Sequence, residues 1–415
     1  MMDSFANQVD EATRTTQPLD DDSRLAAHVV LLTNFVPPHC LPVYRELAGL
    51  VRKLTVLVST PMESHRDWKV DWTGLDVRVQ RTWTVRLPWR HPHGFLDSLQ
   101  VHIPHDTLSQ LKRLSPDVVI SLELGARSFF AALYGRKHRH VGIVWNCNVS
   151  EHTEQGRGRL RYWLRRWLLR QAHAVTVNGS SGQAYLEHLG ASPGSLYRVP
   201  YTPVPAAIFQ GDIQRPPSLA RRLLYVGQLI ERKGLMPFAA ALADWAARNP
   251  QVSVDWDVVG TGPLQGKLKG FAFPENVRLQ LLGALPFEEI AAQYGRAGVF
   301  VFPTLADEWG LVVNEAMLAG LPILGSIYSQ AVTDLCTEGE TGWMFRPDHP
   351  EETVRALELC FATPDEKLLA MRHAARQRVQ DITPAVAARS LVGVARAAIH
   401  RAAENTRSHP ARRLT

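Results

Sequence analysis

Two carboxylates, Asp307 and Glu315, stand eight positions apart in the run Asp307-Glu308-Trp309-Gly310-Leu311-Val312-Val313-Asn314-Glu315-Ala316-Met317. A carboxylate only accepts hydrogen bonds, so such a pair facing amide donors suits a ligand that carries both hydroxyls and phosphates. Two cations, Arg232 and Lys233, lie directly before Gly234. A compact ammonium near a leaving diphosphate offsets charge that grows as the bond breaks.

These groups need a scaffold. Val299-Phe300-Val301-Phe302 before Pro303 reads as a buried strand, and Val312 to Leu318 as a helix ending at Gly320 and stopped before Pro322. The order is strand, glycine-bearing loop, helix. It puts Asp307 at the carboxyl end of a parallel strand, where open α/β sheets bind ligands. The amides of Trp309, Gly310 and Leu311 open a helix N-terminus suited to anionic oxygens. Glu315 lies about two turns further on. A second unit of the same kind runs from the strand Leu223 to Val226 through Gly227 and the basic loop to a helix over Met236 to Trp245. A third has the strand Val254 to Val259 and then Gly260-Thr261-Gly262-Pro263-Leu264. It is not a dinucleotide fingerprint, because Pro263 and Leu264 follow Gly262 and no N-terminal βαβ unit frames it.

These motifs resemble those of retaining glycosyltransferases of the GT-B fold, the family 4 group (glycosyl transferases group 1). That family carries a Glu-x7-Glu pair, then Ala-Met or Ala-Leu, then an Ala/Cys-Gly-x-Pro turn. Glu315-Ala316-Met317 and Ala319-Gly320-Leu321-Pro322 fit, and Asp307 stands where the family has Glu. Glu308 is adjacent, but its spacing to Glu315 is seven, so Asp307 is preferred. The family's Gly-Arg-x(n)-Lys-Gly motif matches Gly227 and Lys233-Gly234; Gln228 replaces the arginine, and Arg232 is its candidate substitute. The strand and loop Val277 to Pro286, with Gly283, resemble the part that holds the base through its main chain. The resemblance implies a donor site of Gly227, Gln228, Arg232, Lys233, Gly260, Gly283, Asp307, Trp309, Gly310, Leu311 and Glu315. It implies no cofactor, no obligatory metal, and a nucleotide-sugar donor with a glycan or lipid-linked acceptor. The catalytic candidates are Lys233, Asp307 and His152.

The fold expected is α/β, with two Rossmann-like parallel-sheet domains facing across a cleft. The divisions are 1–23, a disordered lead-in; 24–200, an acceptor-binding domain; 201–385, a nucleotide-sugar domain; and 386–415, a helix crossing back onto the first domain, then a tail. The proline-dense Val199 to Pro205 reads as the hinge. Acceptor-side candidates come from loops after first-domain strands: His39, Glu123, Arg127 and His152.

At 415 residues the chain exceeds one ordinary core, and ordinary apolar and charged contents exclude disordered and fibrous classes. No run approaches the roughly 20 apolar residues of a membrane span. Met1 to Ser23 lacks the apolar stretch of a signal peptide. Cys40, Cys147, Cys336 and Cys360 show no metal spacing and read as reduced thiols, which implies a cytoplasmic setting. In Arg157 to Arg170, Leu160, Trp163, Leu164, Trp167 and Leu168 share one helical face, with six arginines flanking or opposing it. Such a helix either packs on the first sheet or lies on an anionic inner membrane surface. The net charge of +6 favours an anionic surface, while no nucleic-acid-binding module is visible. Two alternatives are an epimerase of sugar nucleotides on the same fold and a non-catalytic nucleotide-sugar-binding protein.

Overall fold

The computed structural model describes residues 24–62, 70–202, 209, 211–216 and 218–408, apart from the side chains of 97–99 and 408. The lead-in 1–23 and the hinge prolines Pro203 and Pro205 lie outside the described residues.

In the first half the strands are β1 (Leu25–Thr33), β2 (Val51–Val58), β3 (Asp76–Val79), β4 (Thr82–Arg90), β5 (Leu96–Pro104), β6 (Val118–Leu122), β7 (Gly142–Cys147), β8 (Ala174–Val177) and β9 (Leu196–Arg198). Seven of them form one parallel sheet in the order β3-β2-β1-β6-β7-β8-β9. The interior strand β1 is buried from Ala27 onward, because its run of valines and leucines is covered on both faces. β4 and β5 stand apart as an antiparallel ribbon, which the sequence reading did not foresee.

In the second half the strands are β10 (Leu223–Val226), β11 (Val254–Val259), β12 (Val277–Gly283), β13 (Val299–Phe302), β14 (Ile323–Ser326) and β15 (Gly342–Phe345). They form a parallel sheet in the order β12-β11-β10-β13-β14-β15. The two parallel-sheet domains of the GT-B architecture are therefore present. Each sheet reverses strand order once, between β1 and β6 in the first and between β10 and β13 in the second. Those switch points are where such sheets open a crevice.

The helix Pro384–Ser408 returns to the first domain. Ala387, Ala388, Leu391, Val394, Ala395 and Ala398 join the core around Val29, Leu31 and Val144. A stretch within Asp365–Arg407, which takes in most of this helix, is long and apolar enough by length and composition to cross a membrane. Here its apolar face is taken up by the core.

The helix Arg159–Leu169 packs on the first-domain core, one of the two expected settings, through only part of the expected apolar face. Its buried residues are Arg165, Leu168 and Leu169, whereas Leu160 is 86 % and Trp163 60 % exposed. The inward face is rotated because Glu154 is buried beneath it and draws in Arg165, at 2.6 Å, and Arg161, at 3.2 Å. A buried carboxylate needs paired charge more than the tryptophan needs cover.

Candidate active site

The second switch point gathers the charged residues. The loop after β10 makes one tight turn over Glu231–Lys233 and closes on Gly234, whose left-handed φ of 66° places it against the carbonyl of Pro303. A Cβ there would lie 1.9 Å from that oxygen, so only glycine lets the two loops meet. Leu305 N donates to Arg232 O at 2.8 Å and fastens the loop after β13 to it. As a result the Lys233 ammonium donates to an Asp307 carboxylate oxygen, and Arg232 approaches the same oxygen at 3.4 Å. Arg232 also donates to Ala306 O at 2.9 Å, and the Lys233 ammonium lies 5.1 Å from the Phe302 ring centre. Burial works against charge on Asp307, but Lys233 and Arg232 outweigh it and hold the carboxyl below its usual range.

Three predicted glycines lie in a row at the carboxyl ends of β10, β11 and β12. Gly227 N donates to Val259 O at 3.0 Å, and Gly260 N donates to Gly283 O at 2.7 Å. A Cβ on Gly260 would fall 1.9 Å from Gly227 O, so the backbones can approach only without side chains. Gln228 presents its carbonyl to the Tyr225 hydroxyl at 2.9 Å.

Gly310 takes a left-handed φ of 103°, and Leu311 begins the helix Leu311–Leu318, so its amide belongs to the open first turn. Trp309 donates its amide to Asp307 at 3.4 Å, but its indole turns into the core and donates to Asn314 Oδ1 at 2.7 Å. Glu315 accepts from the Tyr294 hydroxyl at 2.9 Å; burial pushes its carboxyl up to about 7 despite that bond. The structure thus joins Lys233, Arg232 and Asp307 directly, while Glu315 is held by the neighbouring helix Phe287–Arg296.

Glu308 takes a different position from its neighbour. Its main-chain oxygen accepts from Gln330 Nε2 at 2.8 Å and from Asn178 Nδ2, a first-domain residue, at 3.3 Å. Glu308 is itself exposed, and groups of both domains lie around it. Burial first, then the acids Glu123, Glu154 and Asp307, push it up to about 7.

On the first domain, the predicted residues separate into two groups. At the β1–β6 switch point Arg127 is buried and donates to Asn34 Oδ1, to Ser59 Oγ at 3.2 Å, to Leu122 O at 3.2 Å and to Glu123 Oε2 at 3.4 Å. Glu123 holds a left-handed φ of 64°, uncommon for a residue with a side chain. His39 bonds the Tyr201 hydroxyl at 2.8 Å and lines a cavity of about 40 Å³ with Tyr44, Asn146, Asn148 and Thr202. His152 lies elsewhere, in the short helix Glu151–Glu154, with its ring 4.9 Å from that of Tyr328 in the second domain. Burial lowers its pKa, and its Nδ1 is buried with no described protein group bonded to it.

The sequence reading missed the opposite wall of this corner. The tip of the β4–β5 ribbon carries His91, His93 and Phe95 to the second domain. His93 Nδ1 donates to Leu305 O at 3.0 Å, its ring lies 4.7 Å from that of Tyr328, and Phe95 packs on Leu305 and Ala306. The turn His91-Pro92-His93-Gly94 was the available signal. Also overlooked was the triplet Asp255-Trp256-Asp257, an Asp-x-Asp spacing. Arg222 occupies it, at 2.6 Å from Asp257 and 3.6 Å from Asp255. Among the described residues no group of three or more His, Cys, Asp or Glu is placed to hold a metal ion.

Both halves of the chain are similar to known proteins. The family model described as "Glycosyl transferase 4-like domain" matches residues 36–202, and that described as "Glycosyl transferases group 1" matches 220–362. The sulfoquinovosyl transferase of Arabidopsis thaliana is 36% identical over 271 residues, 60% of this chain and 51% of that protein. A glycogen synthase of Mycobacterium tuberculosis is 28% identical over 218 residues, 51% of each chain. The chain thus spans about half the length of these curated relatives. Among solved structures, the lipopolysaccharide outer core galactosyltransferase WaaB superposes with a TM-score of 0.66 at 13% identity, over 88% of this chain and 98% of that one. Anabaena HepE in complex with UDP superposes at 0.63 and 16% identity, over 92% and 100%. The chain therefore has the GT-B fold, and its two halves match a glycosyl transferase 4-like domain model followed by a glycosyl transferases group 1 model.

Proposed function

We propose that the protein is a retaining hexosyltransferase of family 4, which moves a sugar from a nucleotide donor to a glycan or lipid-linked acceptor without an obligatory metal or cofactor. The observation that carries this reading is the meeting of Lys233, Arg232 and Asp307 at the carboxyl edge of the second sheet. Arrival of a donor diphosphate gives the two cations a new anionic partner and releases Asp307 to accept from hydroxyls of the transferred sugar. Lys233 and the open amides before Leu311 then offset the charge that develops on the diphosphate. Glu315 accepts from the ribose hydroxyls. The bond from the anomeric carbon to the phosphate oxygen breaks as the acceptor oxygen bonds the same face of that carbon. The acceptor's hydroxyl proton passes to the departing phosphate oxygen. His152, with its unbonded Nδ1 at the corner between the domains, faces the sugar or acceptor.

A nucleotide donor is supported by the HepE structures with UDP and with UDP-glucose, and by a starch synthase structure with ADP. A role in cell-surface polysaccharide or glycolipid synthesis is supported by relatives named for sulfoquinovosyl and lipopolysaccharide core transfer. The setting is cytoplasmic, at the inner face of the membrane.

The test is incubation of the purified chain with nucleotide sugars and candidate acceptors in excess chelator, with the product's anomeric configuration read by NMR. Transfer with retention supports the proposal. Conversion of donor alone into an epimer, or inversion, overturns it.

A further inference from the structure

The β4–β5 ribbon is built inside out. Along β4, Trp83, Val85 and Leu87 alternate with Thr84 and Arg86, so they share one face. Their register partners include Ile103 and Val101, so the apolar face continues across both strands. That face points to solvent: Trp83 is 65 %, Val85 43 % and Leu87 48 % exposed. On the other face Thr84 and Arg86 of β4 are exposed as well, and cover comes only along β5, where His102 is buried, bonds Thr84 at 2.9 Å, and the strand packs on the helix Ala126–Lys137. A folded ribbon with nothing to cover it would show the reverse arrangement, so the apolar face marks an interaction surface.

Its surroundings identify the partner. Residues 77–96 contain four arginines and residues 155–170 six, of which Arg78 pairs with Asp76, and Arg161 and Arg165 pair with Glu154. Arg81 and Arg90 beside the ribbon and Arg159 and Arg170 on the adjoining helix are exposed. The two segments adjoin, since the Arg157 guanidinium lies 3.9 Å from the Trp89 ring centre, and the exposed Leu160 and Trp163 follow directly. Tryptophan and leucine at the apex with arginines around them suit the interface of an anionic bilayer, where indoles lie at headgroup depth and guanidiniums meet lipid phosphates.

We infer that the β4–β5 ribbon, with the start of the helix Arg159–Leu169, docks the protein onto an anionic lipid surface. The docking surface is separate from the donor crevice and does not depend on the transfer reaction. The ribbon's tip nevertheless reaches the crevice wall through Phe95, Leu305 and Ala306. Docking therefore sets the mouth of the cleft beside the membrane.

Co-sedimentation of the full chain with phosphatidylcholine vesicles, with and without phosphatidylglycerol, tests this. Binding is expected to the anionic vesicles only and to weaken with salt. The double substitution Trp83→Ser, Leu87→Ser should lower partitioning about tenfold or more while circular dichroism and melting temperature stay unchanged. Binding that needs no anionic lipid, or that survives the double substitution, overturns the inference. So does wild-type protein that ignores vesicles but self-associates through Trp83, as sedimentation velocity would reveal. If the double variant fails to fold, quenching of wild-type tryptophan fluorescence by bromine-labelled acyl chains decides. Quenching in anionic vesicles supports docking, and none overturns it.

Discussion

The ammonium of Lys233 and the carboxylate of Asp307 pair across two loops that leave neighbouring strands, β10 and β13, at the point where the second sheet reverses direction. Both side chains are largely shielded, and Asp307 also meets Arg232 at 3.4 Å. Replacing Lys233 by Ala removes the compact charge that meets the diphosphate. Turnover should fall by about a hundredfold or more, the usual loss for one electrostatic group at a leaving anion. Steady-state transfer assays check this, and near-normal turnover would remove Lys233 from the chemistry.

Asp307→Asn keeps the shape but loses the charge that accepts from the sugar. Binding of the free nucleoside diphosphate should hold or improve, since Lys233 and Arg232 no longer have a competing anion. Transfer should drop by about tenfold or more, in line with loss of a charge-assisted hydrogen bond worth roughly 1.5–3 kcal/mol. Calorimetry with diphosphate and kinetics with the full donor separate the two effects.

Glu315 and Glu308 both titrate near 7 for different reasons, the first buried beside Tyr294 and the second in the acidic cleft. Between the ordinary carboxyl value of 4.5 and about 7 the folded protein holds protons that the unfolded chain has released. Stability should therefore fall as pH rises through this window, and the change should be complete above about 7. Glu315→Gln should flatten that fall and weaken nucleotide binding above pH 7. Glu308→Gln should flatten it while leaving nucleotide affinity unchanged. Melting temperature and nucleotide affinity measured against pH distinguish the two.

Gln330 is a buried link between the domains. Its Nε2 donates to Val149 O at 3.1 Å, Asn178 Oδ1 at 3.2 Å and Glu308 O at 2.8 Å, and its Oε1 accepts from Gly182 N at 2.5 Å. Gln330→Ala leaves several of these groups unsatisfied and should destabilise the closed arrangement by about 1–3 kcal/mol. Small-angle scattering should show a larger radius of gyration, and an unchanged radius would contradict the assignment.

The second domain was legible because β10, β11, β12 and β13 each end at a glycine or proline. Gly227, Gly260 and Gly283 align because the register of β10, β11 and β12 aligns their ends, and hydrophobic run length reveals that. The pairing of Asp307 with both cations was not legible, because it depends on Gly234 pressing against Pro303 O. The rotation of the helix Arg159–Leu169 was missed for a similar reason: periodicity counts apolar residues, while the buried acid Glu154 chose which arginines turned inward. The ribbon escaped notice because its pattern has no core to point at, and its tip joins the site through loop residues.

The most direct measurement is isothermal titration of wild-type and Lys233→Ala protein with UDP-, GDP-, ADP- and dTDP-sugars in chelator. The account predicts binding of at least one donor by the wild type and a loss of about tenfold or more in the variant. No binding to any donor, or undiminished binding by the variant, would contradict it.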